Sequence, residues 1–344
     1  MDEGLNARRG TREQRPWRGT ELFGRPEWEL VLSPEDNAEL AQAIDRSRDL
    51  TPEALTAQTF HLPVLGDRLR KMGARLETGP GATLLRGLDL GELSKLDLED
   101  GVQRAFTGLA HYVGTPVSQS ATGERLLSVR DAAHTSGDKR VRGPNTNRRL
   151  SFHTDRCDVI AFLCVRPARS GGETHILSSV ALAARLAKDH PGEFETLKQP
   201  FPYLRHTIDT GNARNFVELP VFSEHEGFFA ASLLRVLIDR AHADPNAPSL
   251  TKAQIRALDC LESVAEDTDL FAKLTLGPGD MLFLNNWTTF HRRTAFEDDD
   301  EGPGRLLWRL WLSVPGSRPL APCFADHFGS TAPGAIRGGI HPKA

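Results

Sequence analysis

The sequence predicts a mainly β protein with flanking helices, in which the strands form an antiparallel sandwich or barrel. Two observations support this fold class. Short β-rich runs, each ended by Gly, Pro or polar residues, dominate the chain after Pro116. Helical patterns precede these runs and interrupt them twice. The predicted strands lie at residues 126–129, 159–165, 174–177, 216–222, 228–233, 281–284 and 306–314.

The helical part begins at Ser33-Pro34-Glu35-Asp36, which combines an N-cap serine, a first-turn proline and acidic first-turn residues. Residues 33–74 continue this helical pattern, and a strand is predicted at 82–86 after Gly79-Pro80-Gly81. Further helices are predicted at 96–113, 180–198 and 251–266. We expect residues 1–27 to form a flexible N-terminal extension and residues 28–344 to form a single domain with a helical N-terminal part and inserted helices.

The composition disfavours several classes of protein function. The 344 residues include 42 Lys+Arg and 46 Asp+Glu, a net charge of −4, which disfavours a sequence-independent nucleic-acid binder. No segment approaches the roughly 20 apolar residues that a membrane helix needs. The four cysteines include no C-x-x-C pair, so a disulfide framework and a thiolate zinc site are both disfavoured, and we expect a cytoplasmic location. With 12 histidines, a metal site would be built from imidazole and carboxylate.

Three residues are candidates for such a site. Strand alternation places His153 and Asp155 on one face, about 6–7 Å apart at their Cα atoms. His291 follows the apolar strand predicted at 281–284. Two histidines and one carboxylate leave open positions on a metal, which is the arrangement of non-heme Fe(II) oxygenases. Taken singly, the H-x-D triplet also fits a surface ion pair, and His291 also fits a core histidine.

A strand near the C-terminus carries two arginines. Alternation puts Arg305 and Arg309 on the same face as Leu307 and Trp311, and both faces of the strand are largely apolar. A buried guanidinium needs an anionic partner, and a carboxylate is the expected one. A bound ligand can supply that anion. The alternative is an internal ion-pair network with Asp or Glu.

Together these motifs resemble the Fe(II)/2-oxoglutarate-dependent dioxygenases of the taurine dioxygenase and clavaminate synthase group. The resemblance rests on H-T-D at 153–155, G-G-E-T at 171–174, G-D-x-x-x-x-N-N at 279–286 before His291, and R-x-x-x-R at 305–309. It covers the chain from about residue 80 to about residue 320. It implies a double-stranded β-helix (jelly-roll) core.

The resemblance also implies a role for individual residues. His153, Asp155 and His291 match the iron ligands and therefore the catalytic centre. Arg305 matches the arginine that binds the distal carboxylate of the co-substrate 2-oxoglutarate, and Thr174 matches the hydroxyl that assists it. Iron, 2-oxoglutarate and O₂ are thus the expected cofactor and co-substrates.

The expected partner is a small anionic or zwitterionic molecule, such as an amino-acid derivative. Arg309 matches a second arginine, which in several members contacts the acidic group of the primary substrate. We expect Gln119 to line the same pocket. A basic loop at 138–149 is expected to contribute to substrate binding, although a solvated loop is an equal alternative. Its basic residues are Lys139, Arg140, Arg142, Arg148 and Arg149.

The implied activity is oxidation of an unactivated C–H bond by hydroxylation, desaturation or cyclisation, with release of succinate and CO₂. Asp155 is a carboxylate, unlike the Gly or Ala of related halogenases, so hydroxylation-type chemistry is expected over halogenation. A non-catalytic jelly-roll protein that binds a small carboxylate is the alternative. A hydrolase is disfavoured because the chain has no G-x-S-x-G nucleophile elbow. The sequence leaves a homo-oligomer open.

Overall fold

The computed structural model describes residues 16–93, 98–132, 145–205, 214–299 and 301–340. Groups of helices and groups of strands follow one another along these ranges. The helices are α1 (Pro34–Arg46), α2 (Leu65–Thr78), α3 (Leu90–Leu93), α4 (Leu98–Ala110), α5 (Ser179–Asp189), α6 (Pro191–Leu197), α7 (Arg235–Ala243), α8 (Lys252–Ala265) and α9 (Ala325–Phe328). The strands are β1 (Glu29–Val31), β2 (Ala82–Arg86), β3 (Thr115–Val117), β4 (Leu126–Val129), β5 (Val159–Arg166), β6 (Ser170–Gly171), β7 (Thr174–Ser178), β8 (Phe201–Leu204), β9 (Phe216–Leu219), β10 (Phe222–His225), β11 (Phe228–Ala231), β12 (Phe271–Leu274), β13 (Met281–Asn285), β14 (Thr289–Arg293), β15 (Phe296–Glu297) and β16 (Leu306–Ser313).

Local sequence signals set several of these boundaries. Helix α1 begins at the predicted N-cap, where the Ser33 hydroxyl accepts from the Asp36 amide and the Asp36 carboxylate accepts from the Ser33 amide. The helix predicted at 180–198 is two helices, because Pro191 cannot continue α5 and instead opens α6. The strand predicted at 216–222 is likewise divided into β9 and β10 around Pro220.

The strands form two main sheets. The larger has the order β1-β2-β13-β5-β16-β3, with β4 also paired to β16, and the smaller has the order β12-β7-β14. All pairings in these two sheets are antiparallel except β1 with β2. Three two-stranded pairs complete the described strands: β8–β9, β10–β11 and β6–β15. Outside the named strands, His153 forms a β-bridge with His291 on β14.

The two main sheets share one apolar core. Leu307 and Trp311 of β16 belong to a buried cluster that also contains Ile176 of β7 and Ala272 of β12. Trp308, Leu310 and Leu312, on the opposite face of β16, belong to a second cluster with residues of α1, α2 and α4. The predicted alternation of β16 is therefore correct. A third cluster covers the outer face of the smaller sheet with residues from α5 to α8.

The structure of the N-terminal part of the chain differs from the predicted flexible extension. Residues 1–15 lie outside the described residues. For residues 16–27, the predicted flexible extension is wrong. Trp17 is buried and its Nε1 donates to the Pro80 carbonyl oxygen at 2.8 Å. A 3-10 helix at Gly19–Gly24 then buries Leu22 in the core shared by the sheets. Burial of Trp17 and Leu22 holds this N-terminal segment against the core. The single domain predicted over 28–344 stays a prediction.

The longest described helices, α2 and α8, have 14 residues each. Within the described ranges, no helix combines the length and the hydrophobicity that crossing a bilayer requires.

Candidate active site

The three metal-ligand candidates meet where the smaller sheet contacts the segment before β5. The backbone amides of His153 and His291 each donate to the other residue's carbonyl oxygen, at 3.0 and 3.1 Å. This bridge holds the two imidazole ring centroids 4.4 Å apart. The Asp155 amide donates to the Asn286 side-chain oxygen at 3.1 Å, so the Asn-Asn segment before His291 helps to position the carboxylate.

The donor atoms of this cluster fit a divalent metal ion. One ligand atom from each of His153, Asp155 and His291 lies within 4.8 Å of the others. His153 Nδ1 is 2.8 Å from the Ser151 carbonyl oxygen, which makes Nδ1 the donor and leaves the Nε2 lone pair for a metal. Asp155 Oδ2 is buried without a hydrogen-bond partner among the described residues, 3.5 Å from His291 Nε2. A cation bound there would satisfy that oxygen.

The surroundings keep His153 and Asp155 in metal-binding protonation states. Burial, reinforced by His291, lowers the pKa of His153 to about 4, so the imidazole is neutral near pH 7. Burial alone would raise the pKa of Asp155, but the Arg309 guanidinium and the two histidines outweigh burial and hold that pKa below its ordinary value. The cluster therefore presents a neutral imidazole from His153 and a carboxylate from Asp155.

Arg309 and Gln119 form a unit beside the cluster. The Arg309 Nε donates to Gln119 Oε1 at 2.6 Å, and Gln119 Nε2 donates back to the Arg309 carbonyl oxygen at 2.9 Å. The same Gln119 amide also donates to the Arg125 carbonyl oxygen at 2.6 Å. Arg309 Nη1 lies 3.6 Å from Asp155 Oδ1. Gln119 thus orients Arg309 toward the metal cluster.

The G-G-E-T motif makes room for Arg305. Gly172 has φ +72°, and a Cβ at this residue would lie 3.3 Å from Arg305 Nε and 3.4 Å from Phe296 Cβ. Arg305 is buried, and its Nη1 has no hydrogen-bond partner in the described part of the chain. Burial lowers the pKa of Arg305. Thr174, at the end of the motif, is buried on β7.

Arg293, which belongs to none of the sequence motifs, also faces the site. It lies on β14 two residues after His291 and directly opposite Thr174. Burial, reinforced by the Arg305 charge, lowers its pKa to about 10. The signal that could have identified it is the H-x-R spacing, because alternation on a strand puts both side chains on one face.

One cavity of about 720 Å³ brings these residues together. Arg148 and Arg149 of the basic loop also line it, whereas Lys139, Arg140 and Arg142 lie outside the described residues. The apolar part of the wall includes Phe162 and Ile340. The predicted site residues at the cavity wall are Gln119, His153, Asp155, Thr174, His291, Arg305 and Arg309.

Known proteins are similar to this chain over most of its length. The family model for "Taurine catabolism dioxygenase TauD, TfdA family" matches residues 46–311. FR-33289 synthase of Streptomyces rubellomurinus is 29% identical over 325 residues, covering 90% of this chain and 92% of that protein.

Two solved structures share the fold. An asparagine oxygenase in complex with Fe(II), 2S,3S-3-hydroxyasparagine and succinate has a TM-score of 0.62 at 18% identity, covering 83% of this chain and 93% of that chain. The non-heme iron oxygenase OrfP in complex with Fe, succinate and (3S)-hydroxy-L-Arg has a TM-score of 0.61 at 16% identity, covering 83% and 94%.

Proposed function

The chain belongs to the TauD/TfdA family of dioxygenases, and on that premise we propose that it oxidises a C–H bond of a small anionic or amino-acid-like substrate. The predicted dioxygenase chemistry with iron and 2-oxoglutarate is confirmed by the family match and the His-Asp-His cluster. A non-catalytic binding protein is disfavoured by the same membership. We also propose that the two main sheets form the double-stranded β-helix expected from the sequence.

The observation that carries the proposal is the cluster of His153, Asp155 and His291, whose ligand atoms lie within 4.8 Å of one another. Fe(II) bound there, with 2-oxoglutarate and O₂, supplies the oxidising power, and hydroxylation places one oxygen atom in the product and one in succinate while CO₂ leaves. The protein residues bind and orient the two organic reactants and exclude water from them.

The two arginines on β16 divide these binding tasks. Arg305, with Thr174, binds the distal carboxylate of 2-oxoglutarate, because its buried Nη1 has no protein partner in the described residues. Arg309 lies closer to the metal cluster, beside Asp155, and binds the acidic group of the substrate. A guanidinium suits both tasks because its donors match a carboxylate in pairs.

The substrate class rests on charge and on the solved neighbours. Several arginines line the cavity, among them Arg148 and Arg309, and they favour an anionic or zwitterionic molecule. The asparagine oxygenase and OrfP structures contain hydroxylated amino acids, which supports an amino-acid-like substrate here. A cytoplasmic location stays a prediction from the scarcity of cysteine.

A succinate-formation screen tests this proposal. The protein is assayed with Fe(II), 2-oxoglutarate and a library of amino acids and small acids, and we expect at least one of them to stimulate succinate formation. His153→Ala should abolish the stimulated turnover. Arg305→Ala should raise the KM for 2-oxoglutarate, and Arg309→Ala should raise the KM for the substrate. Coupled turnover retained in His153→Ala would contradict the metal assignment.

A further inference from the structure

We propose that Arg293 is a second cation of the co-substrate site and donates, together with Arg305, to the distal carboxylate of 2-oxoglutarate. This inference rests on the proposed function, which assigns that carboxylate to Arg305 and Thr174. Arg293 extends the site from one guanidinium to two.

The register of the smaller sheet places Arg293 at this position. Strand β14 pairs antiparallel with β7, so that His291 is opposite Ile176 and Arg293 is opposite Thr174. Directly opposed residues project from the same face of a sheet. Ile176 lies in the core shared by the two main sheets, so Thr174 and Arg293 also project between the sheets. Arg293 is therefore about 6–7 Å along the strand from the metal ligand, beside the proposed carboxylate-binding hydroxyl.

Two buried guanidinium groups meet here. Arg293 and Arg305 are 6% and 5% exposed. Their guanidinium carbons lie 4.8 Å and 5.1 Å from the ring centroid of the same side chain, Phe296. Two like charges in a buried site repel each other, so the site favours a bound anion in addition to the nearby Asp131 and Asp298 carboxylates. A dicarboxylate co-substrate supplies that anion.

The unused donors point to the same ligand. Nε and Nη1 of Arg293 and Nη1 of Arg305 are buried without hydrogen-bond partners in the described ranges. The Asp131 charge acts on Arg293 without bonding to either of these Arg293 atoms. One carboxylate offers about four lone-pair sites, which is enough to accept from all three donors.

The remaining donor of Arg293 fixes its orientation. Nη2 donates to the carbonyl oxygens of Thr146 and Arg148, each at 2.6 Å. A purely structural role for Arg293 would need only these two bonds and would leave Nε and Nη1 without a function. A role in co-substrate binding accounts for all three nitrogens.

The test compares two keto acids on the Fe(II)-loaded protein without oxygen. 2-Oxopentanoate has the carbon skeleton of 2-oxoglutarate with a methyl group in place of the distal carboxylate. Dissociation constants for both are measured from the metal-to-ligand charge-transfer band. We expect Arg293→Met to weaken 2-oxoglutarate binding about tenfold or more and to change 2-oxopentanoate binding less than about twofold, because only the former offers the charged acceptor.

Arg292→Met is the matched control, because Arg292 is a buried neighbour whose guanidinium donates to Glu266 and His175 instead. It should leave both dissociation constants within about twofold of wild type. Arg293→Lys keeps a charge without the planar fork, so we expect several-fold weaker 2-oxoglutarate binding, and this variant decides the question if Arg293→Met does not fold.

Two results would overturn the assignment of Arg293. One is unchanged affinity for 2-oxoglutarate in both Arg293 variants, and the other is an equal loss of affinity for the two keto acids, which indicates a structural role. Failure of the wild-type protein to develop the band with 2-oxoglutarate would instead contradict the proposed function, and the Arg293 assignment with it. If the wild-type protein binds 2-oxoglutarate normally, a negative result in the variants contradicts only the Arg293 assignment and leaves the proposed function standing.

Discussion

Nη1 of Arg309 lies 3.6 Å from Oδ1 of Asp155, so the arginine that we propose to bind the substrate contacts the carboxylate of the proposed metal site. The contact leaves Asp155 Oδ2 on the side of the two histidines, 3.5 Å from His291 Nε2 and 4.0 Å from His153 Nε2. One carboxylate therefore faces a cation on each side when metal is bound. This arrangement places the acidic group of a substrate within reach of the metal.

Gln119 should act on substrate binding through Arg309. Its side-chain oxygen accepts from Arg309 Nε at 2.6 Å, and a hydrogen bond to a charged group contributes about 1.5–3 kcal/mol. We expect Gln119→Met to raise the KM for the substrate about tenfold while the KM for 2-oxoglutarate stays within about twofold. Steady-state kinetics with the substrate from the succinate screen measures both.

Gln42→Met is the control for Gln119, because Gln42 is exposed on α1. An equal rise in both KM values would show that Gln119 supports the whole site rather than Arg309.

Gly172→Ala should weaken 2-oxoglutarate binding. The new Cβ would lie 3.3 Å from Arg305 Nε at a residue with φ +72°, so it displaces the guanidinium and strains the backbone. We expect the dissociation constant for 2-oxoglutarate to rise about fivefold or more, as measured by anaerobic titration. Gly192→Ala, with no atom within 4 Å of its Cβ, is the control. Wild-type affinity in Gly172→Ala would mean that Arg305 does not need this space.

Arg337→Met should destabilise the fold strongly. The Arg337 and Asp158 side chains are 0% and 2% exposed and form an ion pair at 2.7 Å. Asp158 also accepts from Trp287 Nε1 at 2.9 Å. Removal of one partner from a buried pair costs about 3–5 kcal/mol because the other charge stays buried and uncompensated.

Denaturant unfolding measures the effect of Arg337→Met. Arg48→Met removes an exposed ion pair with Asp45 and should cost less than about 1 kcal/mol. Similar losses in the two variants would contradict the importance assigned to the buried pair.

His111 should make stability fall as the pH decreases. Burial, with a smaller contribution from the Arg125 charge, lowers the pKa of His111 from 6.5 to about 4. Between these two values the unfolded chain binds a proton that the folded chain does not, so the free energy of unfolding decreases as the pH falls through this window. The contribution is up to about 3 kcal/mol.

His111→Gln removes that contribution. Its free energy of unfolding should therefore decrease less than that of wild type between about pH 6.5 and pH 4. His61→Gln, at an exposed histidine, should follow wild type. Parallel pH profiles for wild type and His111→Gln would exclude His111 as the cause.

The sequence was most informative where a function depends on neighbouring residues. Alternation along one strand was enough to place Arg305 and Arg309 on the same face, and the structure has them lining one cavity. The H-T-D triplet and His291 were found from local motifs in the same way. Their convergence depends on the bridge between His153 and His291, which no local pattern indicates.

Contacts between distant parts of the chain could not be predicted. Gln119 and Arg309 are 190 residues apart in sequence, so the partner of Gln119 is visible only in the fold. The flexible extension was wrong for a similar reason, because Trp17 is held by the Pro80 carbonyl oxygen 63 residues away. Arg293 was missed although the H-x-R spacing was present, because an arginine on a strand has many structural uses.

The most direct test of the central claim is anaerobic titration of the Fe(II)-loaded protein with 2-oxoglutarate, followed by its visible charge-transfer band. Wild type and His61→Ala, whose histidine is exposed, should develop the band. His291→Ala should not develop it, because the metal loses one of the three ligand residues that cluster within 4.8 Å. A band of wild-type intensity in His291→Ala, or no band in wild type, would contradict the assignment of this cluster as the iron site.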